Sequence, residues 1–333
     1  MTSQKLTIVL LLVLMTLLFS VGLFSGPADL SMADQWLALR NGEGVAGTIL
    51  WQLRLPRLCM AVLSGAALAM SGMLMQTYFR NPLAGPSVLG VTSGATLGVA
   101  LVSLGGLAIG VPWGLSGSVS GALLGSWAVM LILGAVVGLF RSRTALLIFG
   151  LMVGYLTGAM VTVLQAGAEA GALQAFVVWG MGSFAQATWT GVMILGVAFA
   201  IGAVWCFRWC HVLDMWTLGK LTALSMGVNE RRLTWGLLGW TGALAGLVTA
   251  WCGPIAFLGL ATPHLVRIMV PKSRHIDWVL PVVLTGSVLA LMSDLIVRFV
   301  GIPLNAVLSI MGAPVVLWLL LRRSPGNPSS VKS

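Results

Sequence analysis

The sequence predicts an all-α polytopic membrane protein with about ten transmembrane helices. Of its 333 residues, 58% are hydrophobic and only 8% are charged, and the mean hydropathy is +1.01. Soluble domains carry about 25% charged residues. The apolar residues form long runs rather than short alternating segments, which excludes a transmembrane β-barrel. The 42 glycines and 17 methionines fit a closely packed helical bundle.

Ten apolar runs, separated by turn residues and charges, have lengths close to one bilayer crossing of roughly 20 residues. The predicted spans are 6–25, 58–77, 87–107, 114–139, 144–166, 189–208, 234–252, 255–268, 277–297 and 303–321. The second contains small residues suited to close helix packing: Gly65, Ala66, Ala67, Ala69, Ser71 and Gly72. The eighth is short and bounded by proline, which predicts a half-helix. Lys5 and the first run resemble a signal peptide, but the run is long and no clear Ala-x-Ala site follows, which favours a retained helix.

The positive charge is distributed as in a membrane protein, and this accounts for the net charge of +10 without a nucleic-acid partner. Ten crossings place both termini on one side, where fourteen of the 18 Lys and Arg residues then fall. These are Lys5, Arg80, Arg141, Arg143, Arg208, Lys220, Arg231, Arg232, Arg267, Lys272, Arg274, Arg322, Arg323 and Lys332. The opposite side receives Arg40, Arg54, Arg57 and Arg298, together with Asp29, Asp34, Glu43 and Glu169. This asymmetry predicts cytoplasmic termini.

Two connections are long enough to have structure of their own. Residues 26–50 form an outer segment with an amphipathic piece around Met32–Leu39. Residues 211–233 form an inner segment whose pattern predicts two short helices broken at Gly219 and Gly227. This inner segment is interpreted either as an interfacial helix on lipid headgroups or as a docking surface for a cytoplasmic partner.

Residues that carry chemistry are few, and the sequence predicts neither a catalytic nor a metal site. Cys59, Cys206, Cys210 and Cys252 lie in or beside apolar runs without a Cys-x-x-Cys, so buried small hydrophobes are favoured over metal ligands. No Gly-x4-Gly-Lys-Ser/Thr occurs, so the chain has no nucleotide site of its own. A carboxylate–His relay through the core is not apparent, which argues against a proton-coupled secondary transporter. No paired His or Asp motif within a span supports a membrane-embedded enzyme.

Four blocks, in order along nearly the whole chain, resemble the permease subunits of ABC importers for iron–siderophore, haem and cobalamin, the FecCD/BtuC-like family. The first block runs from Arg54-Leu-Pro-Arg57 through Gln76 to Asn81-Pro-Leu-Ala and Ser93-Gly94-Ala95. The second is Trp179-Gly-Met-Gly-Ser183, and the third runs from Leu218-Gly219 to Met226-Gly227-Val228. The fourth comprises Gly253-Pro-Ile-Ala-Phe-Leu-Gly-Leu, Pro263-His264-Leu-Val-Arg267, Asp294 with Arg298, and Gly312-Ala-Pro314.

The resemblance implies a type II importer permease fold, with one transmembrane domain over residues 1–333, in a bacterial inner membrane. It further implies a homodimer with a central path, a periplasmic substrate-binding protein, and two cytoplasmic ATPase subunits that bind ATP and Mg²⁺. No cofactor is expected in this chain. Which chelate is carried stays open among siderophores, haem and cobalamin.

The resemblance also implies roles for individual residues. Arg54, Arg57 and Arg298 correspond to arginines that meet carboxylates of the binding protein, although interfacial snorkelling is an alternative. Asn81 and Leu83 match a cytoplasmic gate, and Asn81-Pro82 also has a purely structural interpretation as a turn. The ATPase contact is expected at Leu218, Gly219, Lys220, Ala223, Gly227 and Val228. A structural hydrogen bond is expected for His264, rather than haem or iron ligation.

Two departures from the family pattern bear on these roles. Lys220 stands where the family usually has Glu, which leaves the polarity of the ATPase contact open. The stretch from Arg298 to Pro303 is shorter than usual and lacks a Glu before Ile302, which leaves the docking role of Arg298 open. Asp294 and Arg298, four residues apart on one predicted helix, are expected to pair.

Overall fold

The computed structural model describes residues 2–26, 30–105, 115–139, 143–271 and 274–322, and within these ranges it contains helices and connections but no strand. Five charged residues used in the topology count, Asp29, Arg141, Lys272, Arg323 and Lys332, lie outside the described residues. One π-helical segment, Ile49–Arg54, leads into α4. In chain order the described α-helices, α1 to α14, are Thr2–Phe24, Met32–Asn41, Gly44–Thr48, Leu55–Phe79, Val91–Ser103, Leu115–Val136, Arg143–Ala166, Ala170–Gly180, Trp189–Thr217, Lys220–Ser225, Glu230–Cys252, Leu258–Met269, His275–Val300 and Leu304–Arg322.

The predicted all-α polytopic architecture is confirmed, and each of the ten predicted spans coincides with a helix. Among the described residues, seven helical stretches are long and apolar enough to cross a membrane: Gln4–Phe24, Gly44–Phe79, Gly117–Val136, Ala145–Ala166, Trp189–Thr217, Glu230–Cys252 and His275–Val300. Three shorter apolar helices accompany them, Val91–Ser103, Ala170–Gly180 and Leu304–Trp318. At 12 residues, α12 is about 18 Å long. This is too short to cross a hydrocarbon core of about 30 Å, as expected of a half-helix.

The helix α4 is the most buried element and packs against α9, α11, α12 and α13. Its small residues allow close backbone approach, as the sequence predicts. A Cβ atom added at Gly65 would lie 2.3 Å from the carbonyl oxygen of Gly286, and one added at Gly72 would lie 1.7 Å from that of Gly259. Helices in a membrane depend on such close packing to associate. Lipid tails are as apolar as the side chains, so the hydrophobic effect does not drive the helices together.

The two ends of α4 define two opposite ends of the bundle, the Arg54 end and the Arg80 end. The N-terminal residues lie at the Arg80 end, where Gln4 Nε2 donates to the carbonyl of Asp277 at 3.0 Å. The helices α1 and α13 then run together to the Arg54 end, where Arg298 contacts the carbonyl of Gly22. Residues far apart in sequence are thereby collected at each end.

The long connections differ partly from expectation. A helix, Met32–Asn41, is present where the amphipathic piece was predicted, and it is capped by Ser31, whose hydroxyl accepts from the N–H of Asp34. For 211–233, the breaks at Gly219 (φ 137°) and Gly227 (φ 88°) are confirmed. The prediction of a separate short helix before Gly219 is wrong, because α9 continues without interruption to Thr217. It continues because Leu213 and Trp216 remain fully buried there.

A further difference is α8, Ala170–Gly180, which was not among the predicted spans because it is shorter than a membrane crossing. Its end is held by Asn305, whose Nδ2 donates to the carbonyls of Gly180 at 3.3 Å and Pro254 at 2.6 Å. The buried small-hydrophobe interpretation of the cysteines is confirmed for Cys206, Cys210 and Cys252, and Cys59 is partly exposed.

Candidate functional site

At the Arg54 end, a buried carboxylate lies between two arginines. Asp294 Oδ1 accepts from Arg57 Nε at 2.8 Å, and Asp294 Oδ2 lies 2.8 Å from Arg298 Nη2. The Asp294 side chain is 1% exposed, that of Arg298 5% and that of Arg57 20%. The expected i,i+4 pair is confirmed. The contact with Arg57 was not predicted, because it joins residues 237 positions apart and has no local sequence signal.

The two deeper arginines also bind the end of α1. Arg54 Nη1 donates to the carbonyl of Leu23 at 2.9 Å, and Arg298 Nη1 donates to that of Gly22 at 2.8 Å. The last carbonyls of a helix lack intrahelical partners and carry partial negative charge, so guanidinium groups are suited to bind them. Arg54 also contacts Gln35 of α2, with 3.5 Å between its Nη1 and Oε1 of Gln35.

The three arginines expected to dock the binding protein, Arg54, Arg57 and Arg298, therefore all lie at the Arg54 end. Two of them, Arg57 and Arg298, share the single carboxylate of Asp294. Arg57 is the most exposed of them, whereas Arg54 is only 6% exposed beneath α2. Docking at these arginines stays a prediction.

At the Arg80 end, the residues expected to form the gate lie in a tight turn after α4, the Arg80 turn (residues 80–83). Arg80 ends the helix in the left-handed conformation, with φ 48°. The side-chain oxygen of Asn81 accepts from the backbone N–H of Leu83 at 2.9 Å, which closes the turn. His264 of α12 contacts the carbonyl of Pro82 through Nε2 at 2.8 Å, so the structural hydrogen bond expected of His264 is confirmed.

The last turn of α9 is fastened to the end of α4. Trp216 stacks on Tyr78, with ring centroids 5.7 Å apart and an interplanar angle of 9°. Its indole Nε1 donates to the Tyr78 carbonyl at 3.2 Å, and its own carbonyl accepts from Arg80 Nη2. The Tyr78 hydroxyl is 2.7 Å from the Thr234 hydroxyl, which adds α11 to the same cluster.

A second polar link at the Arg80 end was missed by sequence reasoning. The carboxylate of Asp214 contacts both Nδ1 and the backbone N–H of His275, and Nε2 of His275 is 2.9 Å from the hydroxyl of Thr77. The three residues come from α9, α13 and α4 and border a cavity of about 350 Å³ that Arg80 and Trp278 also line. A carboxylate–histidine pair is thus present at one end of the bundle, whereas the expectation from the sequence concerned a relay through the core.

The residues expected to contact the ATPase lie together in the α10 segment (residues 218–228). Ala223 and Val228 are buried, and the Val228 N–H donates to the Ala223 carbonyl at 3.0 Å. The backbone turns at Gly219 and Gly227, both with positive φ. Three large apolar side chains on this segment are exposed to between 53% and 82%: Leu218, Leu221 and Met226.

The unusual lysine of the α10 segment has a partner within the chain. Lys220 Nζ lies 2.7 Å from Glu230 Oε1, and both side chains are partly exposed. A carboxylate is therefore present beside position 220, on the first residue of α11. Sequence reasoning had not assigned Glu230 a role.

A family model described as the FecCD transport family matches residues 11–322. The chain belongs to this family. It is 33% identical to the hemin transport system permease protein HmuU of Yersinia pestis, with 96% of this chain and 97% of the relative covered. It is 32% identical to the vitamin B12 import system permease protein BtuC of Citrobacter koseri, over 88% of this chain and 89% of the relative.

Solved structures agree with this family assignment. A metal-chelate type ABC transporter in an inward-facing conformation superposes with a TM-score of 0.82 at 27% identity, covering 95% of this chain and 98% of that one. PsaBC from Streptococcus pneumoniae, at 15% identity and a TM-score of 0.55, shares the fold. The chain is therefore a membrane permease subunit of the metal-chelate, haem and vitamin B12 class of ABC importers, with the type II importer permease fold.

Proposed function

We propose that two copies of this chain form the path of an ATP-driven importer, with energy from separate cytoplasmic ATPase subunits and substrate delivered by a periplasmic binding protein. The substrate class is a metal chelate, haem or cobalamin, by similarity to the named relatives. The observation that carries the proposal is the separation of two specialised ends, with an arginine cluster at one and an exposed apolar segment beside a fastened turn at the other.

The Arg80 end is proposed to face the cytoplasm of a bacterium and the Arg54 end the periplasm. Support comes from the charge distribution: Lys5, Arg80, Lys220, Arg231 and Arg232 all belong to elements at the Arg80 end, and cytoplasmic ends of membrane proteins are enriched in such residues. The N-terminus is then cytoplasmic, as is the C-terminus after an even number of crossings.

The α10 segment is proposed as the ATPase contact. Apolar surface is exposed just after the end of α9, on Leu218, Leu221 and Met226. Exposed apolar patches of this kind mark protein–protein contacts. Ala223, Val228 and the two glycines set the shape of the segment, whereas Lys220 and Glu230 provide its polar edge.

The Arg54 cluster is proposed as the contact for the binding protein. A carboxylate on the partner would meet an excess of positive charge around Asp294, and an arginine offers it two parallel donors. Arg57 is the first residue such a group would reach, since it is the most exposed of the three arginines.

Replacement of Leu221 by Asp tests the proposed ATPase contact. The side chain is 82% exposed, so the change removes apolar contact surface without disturbing the fold. Co-purification with the ATPase and the ATP hydrolysis rate in liposomes should both fall at least ten-fold. Ser225→Asp adds the same charge to an exposed position of the same helix and should retain most of both. Equal losses in the two variants would contradict the assignment.

A further inference from the structure

The strongest unassigned feature is the connection between the α10 segment and the Arg80 turn. Both begin next to the point where the ends of α4 and α9 meet. Trp216 is the residue that makes this attachment, since it lies only two positions before the α10 segment begins. Its side chain is fully buried.

Three separate contacts join Trp216 to the last turn of α4. Its ring stacks on Tyr78, its indole N–H donates to the Tyr78 carbonyl, and its carbonyl accepts from Arg80. The third contact has a clear physical reason, because Trp216 is in the last turn of α9 and its carbonyl lacks an intrahelical donor. Arg80 is also the first residue of the Arg80 turn, so this hydrogen bond reaches the turn directly.

A second, parallel link prevents rotation about the first. Asp214, one half-turn earlier on α9, contacts His275 of α13, and His275 contacts Thr77 of α4. Two links at different points along α9 fix both its position and its direction relative to α4. Close-packed contacts of this kind transmit displacement, since the interior does not deform continuously.

The two segments are each internally fastened as well. Asn81 closes the Arg80 turn, and Lys220 pairs with Glu230 across the α10 segment. A displacement applied at the α10 segment is therefore carried through the end of α9, across Trp216, and into the end of α4 and its turn.

We propose that Trp216 is a positioning residue that makes the Arg80 turn and the α10 segment of one subunit move as a single rigid unit. The inference rests on the proposed function, in which an ATPase acts on the α10 segment and the Arg80 turn narrows the path. It assigns the transmission between them to Trp216 and Arg80, with the Asp214–His275–Thr77 link in support.

Spin-label distances test this inference without requiring knowledge of the substrate. The four cysteines are replaced by alanine, and labels are placed at the exposed positions Leu83 and Ser225 of one subunit in the complex with its ATPase. Ser225 is used because it is not one of the apolar residues proposed to contact the ATPase. Co-expression of a double-cysteine chain and a cysteine-free chain with different tags, purified on both tags, gives dimers with one labelled subunit. Trapping with ATP and vanadate should leave the 83–225 distance unchanged, whereas labels at position 83 of both subunits should change their separation.

Variants then break the link. In Trp216→Phe combined with Arg80→Gln, the ATP-induced change between the two position-83 labels should be lost, while the complex still hydrolyses ATP. Arg80→Gln alone alters an exposed side chain and should cause a partial loss, so the test does not depend on the folding of the Trp216 variant. Trp209→Phe is the matched control: it makes the same change on the same helix, where Trp209 stacks on Trp205 instead, and the response should be retained.

An 83–225 distance that changes with ATP when Trp216 and Arg80 are unaltered would overturn the inference, as would an intact position-83 response in the double variant. Failure of the chain to assemble with an ATPase has a different meaning, because it contradicts the proposed function and appears at the purification step before any label is measured.

Discussion

Asp294 is the residue whose environment most constrains its role. Its carboxylate is almost completely buried and contacts Arg57 and Arg298, which come from different helices. Arg298 also binds the end of α1, as Arg54 does, so the carboxylate helps to organise the contact of α1, α4 and α13. A buried ion pair adds little net stability by itself, but removal of one partner is costly because it leaves the other charge unpaired.

Replacement of Asp294 by Asn should therefore destabilise the protein by about 3–5 kcal/mol, since the buried Arg298 and the partly buried Arg57 lose the carboxylate that they share in the described structure. Thermal unfolding of the purified protein in detergent measures the effect as a lowered midpoint. Asp277→Asn is the control, because Asp277 lies 3.8 Å from the exposed Arg274 and such a pair contributes about 0–1 kcal/mol. Similar midpoints for both variants would argue against a buried charge cluster.

The Lys220–Glu230 pair gives a second prediction at this scale. Lys220→Glu places two carboxylates next to each other and should weaken ATPase association, whereas the exchange Lys220→Glu with Glu230→Lys should restore it. The expected change is up to about five-fold, since exposed ion pairs contribute about 0–1 kcal/mol. Titration of the detergent-solubilised permease with the ATPase measures it. If the double variant binds the ATPase no more tightly than Lys220→Glu does, the ATPase contacts residue 220 itself and the prediction is contradicted.

At the scale of elements, helix positions were predictable because a membrane crossing imposes a length and an apolar composition that the sequence displays directly. The helix α8 was missed because its 11 residues are too few to cross a membrane. The continuation of α9 to Thr217 was missed because burial of Leu213 and Trp216 against other helices, rather than lipid, sustains it. The hydrogen bonds of Asp294 with Arg57, of His275 with Asp214 and of Trp216 with Tyr78 were not predictable, because each joins residues at least 61 positions apart. The pair of Asp294 with Arg298 was predictable because the two residues are one helical turn apart.

Close approach of α4 and α12 gives a prediction for a single methyl group. Gly72→Ala places a Cβ 1.7 Å from the Gly259 carbonyl oxygen, so the two backbones must separate. Overpacking of this kind costs about 1–3 kcal/mol or more, and the midpoint of thermal unfolding should fall. Gly158→Ala, on α7 with nothing within 4 Å of the added carbon, should leave the midpoint unchanged or raise it slightly. A stable Gly72→Ala variant would contradict the observed helix contact.

At the scale of the whole molecule, the permease has an arginine cluster at one end and, at the other, the α10 segment joined to the Arg80 turn. The family assignment and the fold are established by the match over residues 11–322 and by the superposition with a metal-chelate type ABC transporter. We propose that the Arg54 end contacts the binding protein and that the Arg80 end contacts the ATPase. These roles require that ATP hydrolysis by a partner be obligatory for transport.

Uptake by reconstituted liposomes tests that central claim most directly. The permease is inserted with and without its ATPase, with ATP inside or outside the vesicles, and offered haemin, cyanocobalamin or a ferric siderophore together with its binding protein. At least one of these compounds should accumulate, and only when ATPase, ATP and binding protein are all present. Accumulation or equilibration of the same compound through the permease alone, without ATPase or ATP, would contradict the claim.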